Sequence, residues 1–123
     1  MKKLLSAVFV ALLVAGCEGV EDKIREAKDS NATMLFLGGE LGPDLTPLAE
    51  LTDLVILTLP KNRITDLKPL ARLTNMEALK LNSNGITDVT PLAGMTKLEK
   101  LFLRKNKITD LKPLTGMINM DMM

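Results

Sequence analysis

Leucine recurs along this chain at a fixed interval. Leu35, Leu57, Leu79 and Leu101 stand 22 residues apart, and Leu37, Leu59, Leu81 and Leu103 follow each of them by two. Apolar-polar-apolar alternation over so short a span predicts a strand with one face buried. Around these pairs the same residues return in the same order. Residues 57–74 read LTLPKNRITDLKPLARLT, residues 79–96 LKLNSNGITDVTPLAGMT and residues 101–118 LFLRKNKITDLKPLTGMI, with a weaker copy, LFLGGELGPDLTPLAELT, opening at Leu35. After each strand come Ile64, Ile86 and Ile108, and then Leu67, Val89 and Leu111. The pairs Pro47-Leu48, Pro69-Leu70, Pro91-Leu92 and Pro113-Leu114 follow. Leu51, Leu73, Met95 and Met117, then Leu54, Met76, Leu98 and Met120, complete the apolar set. Self-similarity at this period predicts one supersecondary unit stacked on itself. A turn offers about seven apolar side chains, each contributing roughly 1.5–3 kcal/mol when fully buried. No turn can cover them alone, so stacked neighbours must.

Two polar positions repeat with the apolar ones. Asn62, Asn84 and Asn106 fall where the chain leaves the strand and must turn. Backbone groups freed there need partners in the interior. A side-chain amide both donates and accepts, so a stacked asparagine row is expected to supply them. Asp44, Asp66, Asp88 and Asp110 each precede a proline by three residues. A short acid there caps the return turn, and proline suits its first position. With one carboxylate per turn and no second at ligand spacing, these acids are assigned to capping and not to metal.

The pattern LxLxxNxITDxxPL with a following LT resembles the 22-residue leucine-rich repeats of the internalin family, over residues 35–120. The resemblance implies an α/β-type solenoid, with short parallel β-strands on a concave face and 3-10 or short helical turns on a convex one. It also implies that the concave face binds proteins. The first copy departs from the pattern, with Glu40 at the asparagine position and Gly42 at the isoleucine position. With four copies the curved surface is short. No wall-anchoring tail or immunoglobulin-like region is visible, so host-cell invasion is not implied. Residues 119–123 begin a fifth copy, with Met123 on the Leu101 position. That ending reads as truncation relative to a longer parent; the alternative is an end that docks on a partner or a second copy.

The amino terminus has another character. Lys2 and Lys3 precede an apolar run over residues 4–15, broken by Ser6 and too short for a comfortable membrane span. Small residues Ala15 and Gly16 then lead to Cys17. This is the layout of a secretory signal. The ending Leu13-Val14-Ala15-Gly16-Cys17 resembles the lipobox of bacterial lipoproteins. The resemblance implies cleavage of a signal peptide over residues 1–16 and acylation of Cys17, which anchors the mature chain in the membrane. Each buried methylene contributes about 0.8 kcal/mol, so several acyl chains hold where one is marginal. Glu18, where an acid of the other type marks inner-membrane retention in diderm lipoproteins, points to the outer membrane if the host is diderm. Residues 17–33 form the anchor and then a charged stretch with Val20, Ile24 and Ala27 at helical spacing. That stretch is either a small helical cap on the first repeat or a disordered tether. Residues 34–123 are the repeats.

Composition narrows the chemistry. There is no His, Trp or Tyr, and Cys17 is the sole cysteine, so no internal disulfide can form. Without histidine the usual general base and metal ligand is missing. No glycine-rich phosphate loop or nucleophile-base pair stands out. The chain is therefore not expected to be an enzyme, nor to use a cofactor, nucleic acid or a small-molecule substrate. Formal net charge is +1 but is divided: residues 17–55 hold nine acids and three bases, residues 56–123 eleven bases and six acids. In a solenoid that division runs along the axis as a solvated face or as a steering patch for a partner.

Residues flanking the buried leucines should point to the concave side. Phe36, Ile56, Thr58, Lys80, Lys100, Phe102 and Arg104 are the candidate protein-binding residues, with Lys100, Phe102 and Arg104 as the warmest part. Aromatic and arginine side chains are the usual energetic anchors of interfaces. The expected function is a lipid-anchored bacterial envelope protein that binds an unidentified protein through this face. The alternative is a structural envelope lipoprotein, or a truncated repeat product, without a specific partner.

Overall fold

A computed structural model of the chain describes residues 19–39, 41–115 and 121–122. The signal segment, Cys17, Glu18, and the positions assigned to Glu40, Met117, Met120 and Met123 lie outside the described residues.

The repeats form a solenoid. Strands β1 (Met34–Phe36), β2 (Ile56–Thr58), β3 (Ala78–Lys80), β4 (Lys100–Phe102) and β5 (Asp121–Met122) lie in one sheet in chain order. Each pairs in parallel with the next. Leu35 faces Leu57, Leu57 faces Leu79 and Leu79 faces Leu101. The four strand leucines are therefore one buried row. The fifth strand differs from the sequence expectation: Leu101 pairs with Met122, not with Met123, so this last step is one residue short of the period. The 22-residue count therefore does not carry over to the fifth copy.

Opposite the sheet the described residues form four short 3-10 helices: η1 (Thr46–Leu48), η2 (Lys68–Arg72), η3 (Thr90–Leu92) and η4 (Lys112–Leu114). Proline sits in the first positions of all four, where it has no intrahelical bond to lose. The backbone N–H of Thr46, Lys68, Thr90 and Lys112 donates to Oδ1 of Asp44, Asp66, Asp88 and Asp110, at 2.9–3.0 Å. The Thr90 hydroxyl adds a second bond to Asp88 at 2.6 Å. These bonds favour the ionised acid. Side-chain and then backbone bonding from Thr46 holds Asp44 below its ordinary value, and Thr90 does the same for Asp88.

Helix α1 (Val20–Asp29) precedes β1 and buries Ile24 and Ala27 in the same core as the repeats. Its end is specified locally. Asn31 takes φ of 55°, the Ala32 N–H donates to the Ala27 carbonyl at 2.9 Å, and the Asn31 N–H donates to that of Lys28 at 3.2 Å. This is a Schellman termination with asparagine in the left-handed position. Ala32, just past the turn, is buried. On the outside Lys28 pairs with Glu50 of the first repeat, raising the lysine and lowering the acid. Among the described residues no helix is long and apolar enough to cross a bilayer.

Candidate functional site

The concave face is the outward side of β1 to β4, and strand alternation decides what stands on it. With Leu35, Leu57, Leu79 and Leu101 turned in, their neighbours must turn out. Register aligns these neighbours in rows across the sheet. One row is Met34, Ile56, Ala78 and Lys100; the next is Phe36, Thr58, Lys80 and Phe102. Gly38, Pro60, Asn82 and Arg104 follow two residues on. The asparagine row beneath holds this edge of the sheet in place. The Asn84 Nδ2 donates to the carbonyls of Leu59 and Leu81, both at 2.9 Å, and its Oδ1 accepts the N–H of Asn62 and Ile64 at 2.8 and 3.0 Å. Asn62, itself buried, does the same one turn earlier for Leu37, Leu41 and Gly42. Asn106 serves Leu81, Leu103 and Ile86. Each amide thus ties two turns together, as a low-dielectric interior requires of its backbone groups.

The two phenylalanines occupy different surroundings. Phe36 is 62% exposed, with Met34 at 38% beside it. Its ring leans over Gly38: a Cβ built there would stand 3.0 Å from the Phe36 Cζ and 3.5 Å from the Pro60 Cγ. Glycine at this position leaves room for the ring to lie along the sheet. Phe102 is only half-exposed, because Lys80 of the neighbouring strand sets its Nζ 5.3 Å from the ring centroid. That is a cation–π distance. Lys80, Lys100 and Arg104 are exposed, while Ile56 and Thr58 are half-buried between their neighbours. The Arg104 backbone N–H is fixed by the Asn82 side chain at 3.0 Å. The candidate residues therefore share one continuous surface of the described sheet.

The turn leaving each strand follows from the sequence; its left-handed backbone does not. Gly39, Lys61, Ser83 and Lys105 hold one position in successive turns and all have φ between 57° and 73°. Only Gly39 advertises the left-handed backbone, since three of the four turns use residues that strain there. These turns also set Lys61, Arg63, Lys105 and Lys107 out along one rim of the sheet, all exposed.

Among the described residues no group of acids, His or Cys could hold a metal ion. The small recess between α1 and the first repeat, lined by Lys28, Asn31, Glu50 and Asp53, has its lysine and one acid already paired to each other.

Two overlapping matches to the family described as Leucine Rich repeats (2 copies) cover residues 52–94 and 74–116. Among solved structures, the chain is similar to internalin C2 of Listeria monocytogenes, at 31% identity and a TM-score of 0.73, over 82% of this chain and 44% of that one. It is similar to internalin InlF of the same organism at 33% identity and a TM-score of 0.75, over 86% of this chain and 30% of that one. A leucine-rich-repeat protein of Leptospira interrogans aligns at 28% identity and a TM-score of 0.69, over 88% and 28%. The chain thus spans less than half the length of each of these structures. No curated protein matches it.

Proposed function

The chain belongs to the leucine-rich-repeat family, with repeats of the internalin type, and from that premise we propose that it is a lipid-anchored protein of the bacterial envelope that binds another protein on its concave face. Repeats of this type typically mediate protein–protein contact, and the fold is an interaction scaffold. One observation carries the finer reading: the outward side chains of β1 to β4 stand in aligned rows, include Met34, Phe36, Ile56 and Phe102, and are free of acids, on a backbone tied turn to turn by the asparagine ladder. Phe36 at 62% exposure stands beside Met34 at 38%, so the apolar surface there is contiguous rather than a single exposed ring. Lipid attachment rests on the lipobox-like run ending at Cys17, and the preference for the outer membrane in a diderm host on Glu18.

The test is site-directed photo-cross-linking in the native envelope. A photoreactive residue at Thr58, on the concave face, should give a discrete protein adduct, whereas the same group at the exposed convex Lys68 should not. Equal labelling from both faces would remove the concave face from the proposal. Anchoring is tested separately: a tagged fatty acid should label the chain and fail to label Cys17→Ser. Label persisting in the serine variant would discard Cys17.

A further inference from the structure

The concave face is chemically divided along the solenoid axis. On β1 and β2 and just beyond them its outward residues are Met34, Phe36, Gly38, Ile56, Thr58 and Pro60, none of them charged. On β3 and β4 and just beyond them they include Lys80, Lys100 and Arg104, and no acid. We propose that this face recognises a protein segment that is apolar at one end and acidic at the other, laid across the strands with its apolar end on β1 and β2. The inference rests on the protein-binding reading above and specifies the partner's chemistry.

Three features support this orientation. First, Phe36 and Met34 are the large apolar side chains most open to solvent on β1 to β4, so burial against a partner releases most water there. Second, Lys80 and Arg104 have no acid in register with them on β1 to β4, whereas Lys100 stands in register with Asp121 of β5, so a partner carboxylate is drawn to Lys80 and Arg104. Glu77 and Glu99 immediately precede β3 and β4 and make the strand-entry rim acidic there; the strand-exit rim is basic, with Lys61 and Arg63 after β2 and, more densely, Arg104, Lys105 and Lys107 after β4. The partner's acids are therefore steered to the exit rim. Third, Lys80 already rests over Phe102 and can exchange that contact for a carboxylate, which uncovers the ring. Adjacent strands are about 4.8 Å apart, so β1 to β4 spans roughly 14 Å. A helix rising 1.5 Å per residue covers that in about three turns.

A displayed library of random peptides, long enough for three helical turns, is panned against the full chain held in detergent micelles. Enriched peptides should carry an aromatic or aliphatic residue at one end and Asp or Glu at the other. Phe36→Ala should weaken their binding by about tenfold or more while leaving the acidic preference. The double variant Lys100→Glu/Arg104→Glu should reverse that preference to basic peptides. Circular dichroism melting identifies variants that have failed to fold; in that event Lys100→Gln/Arg104→Gln replaces the reversal and should abolish the acidic preference. Enriched peptides without acids that still depend on Phe36 would overturn the division and leave concave protein binding standing. Peptides indifferent to every concave substitution would overturn both. Binding of duplex DNA or of vesicles rich in anionic phospholipid, lost in the reversed variant and with no peptide enriched, would replace the protein partner by a polyanion.

Discussion

The first and fourth repeats invert the relation between consensus and burial. The first copy is the poorest match to the pattern, with glycine at 38, 39 and 42. Yet Leu35, Leu37, Leu45 and Leu48 are all buried. The fourth copy, LFLRKNKITDLKPL, fits the pattern at every scaffold position. Yet Leu103 and Ile108 are only partly buried, and Leu111 is 44% exposed. Their counterparts one turn earlier, Leu81, Ile86 and Val89, are fully buried. The difference lies in the neighbours. The first repeat has α1 packed on one side through Ile24 and Ala27 and the second repeat on the other. In a solenoid a turn contributes its leucines, but the adjoining turn decides how much area they lose to water.

The largest predicted effect tests that rule directly. Leu79→Ala removes a fully buried side chain in the middle of the row and should cost about 2–5 kcal/mol. Leu111→Ala should cost well under half as much, although both positions are consensus leucines. Urea midpoints at constant slope measure both; equal losses would mean that consensus, not neighbour contact, sets the contribution.

The asparagine row grades in the same direction. Asn84 accepts two backbone N–H groups through its Oδ1, Asn106 one. Each buried group left without a partner costs about 1–3 kcal/mol. Asn84→Leu should therefore destabilise more than Asn106→Leu, and both more than the exposed Lys80→Ala. Matching midpoints for Asn84→Leu and Lys80→Ala would count against the row as a scaffold. At the capped end, Ile24→Ala should lower amide protection in β1 before β3, since α1 packs at that end of the core. Uniform loss across the sheet would show that the helix supports the whole solenoid rather than its first turn.

Much of this was legible because the period is a strong signal. Register, the inward leucines, the proline-led turns and the capping acids all follow from residues that recur at identical spacing. What was not legible depends on single contacts or on a conformation that side-chain chemistry hides. Lys80 covering Phe102 is a cross-strand meeting of two unrelated positions, and it leaves Phe36, not Phe102, as the more open ring. Partial exposure in the fourth turn could not be read from its own residues, which match the pattern at every scaffold position. Pairing of Leu101 with Met122 breaks the period itself. The concave face was placed from alternation alone; its division into apolar and cationic halves became visible when the rows were aligned.

A smaller effect concerns pH. Asp88 is held low because the ionised form accepts bonds from Thr90. Its stabilisation is present above the unfolded value near 3.9 and is lost as pH falls through the lower folded value. Asp88→Asn should melt below the parent at pH 7, and the gap should close in acid. A gap that persists at low pH would assign the effect to geometry rather than charge.

The smallest effect returns to the strand-exit turns and compares the same two repeats. Position 39 carries glycine at φ of 73°, where a new Cβ would meet only the Lys61 carbonyl at 3.6 Å, an ordinary contact. Gly39→Ala is therefore resisted by backbone conformation alone, at about 1–2 kcal/mol for an L-residue in the left-handed region. Position 105 in the fourth repeat has the same backbone, with φ of 61°, and carries lysine. Lys105→Gly relieves that strain but adds back about 0.5–1 kcal/mol of chain entropy. The net should be a gain of a few tenths to about 1 kcal/mol, opposite in sign to Gly39→Ala. The two changes, measured side by side by thermal melting, separate backbone conformation from packing. If Lys105→Gly destabilises instead, lysine contributes at that turn beyond its backbone, and the basic rim beside β4 has a structural role as well as the binding role proposed for it.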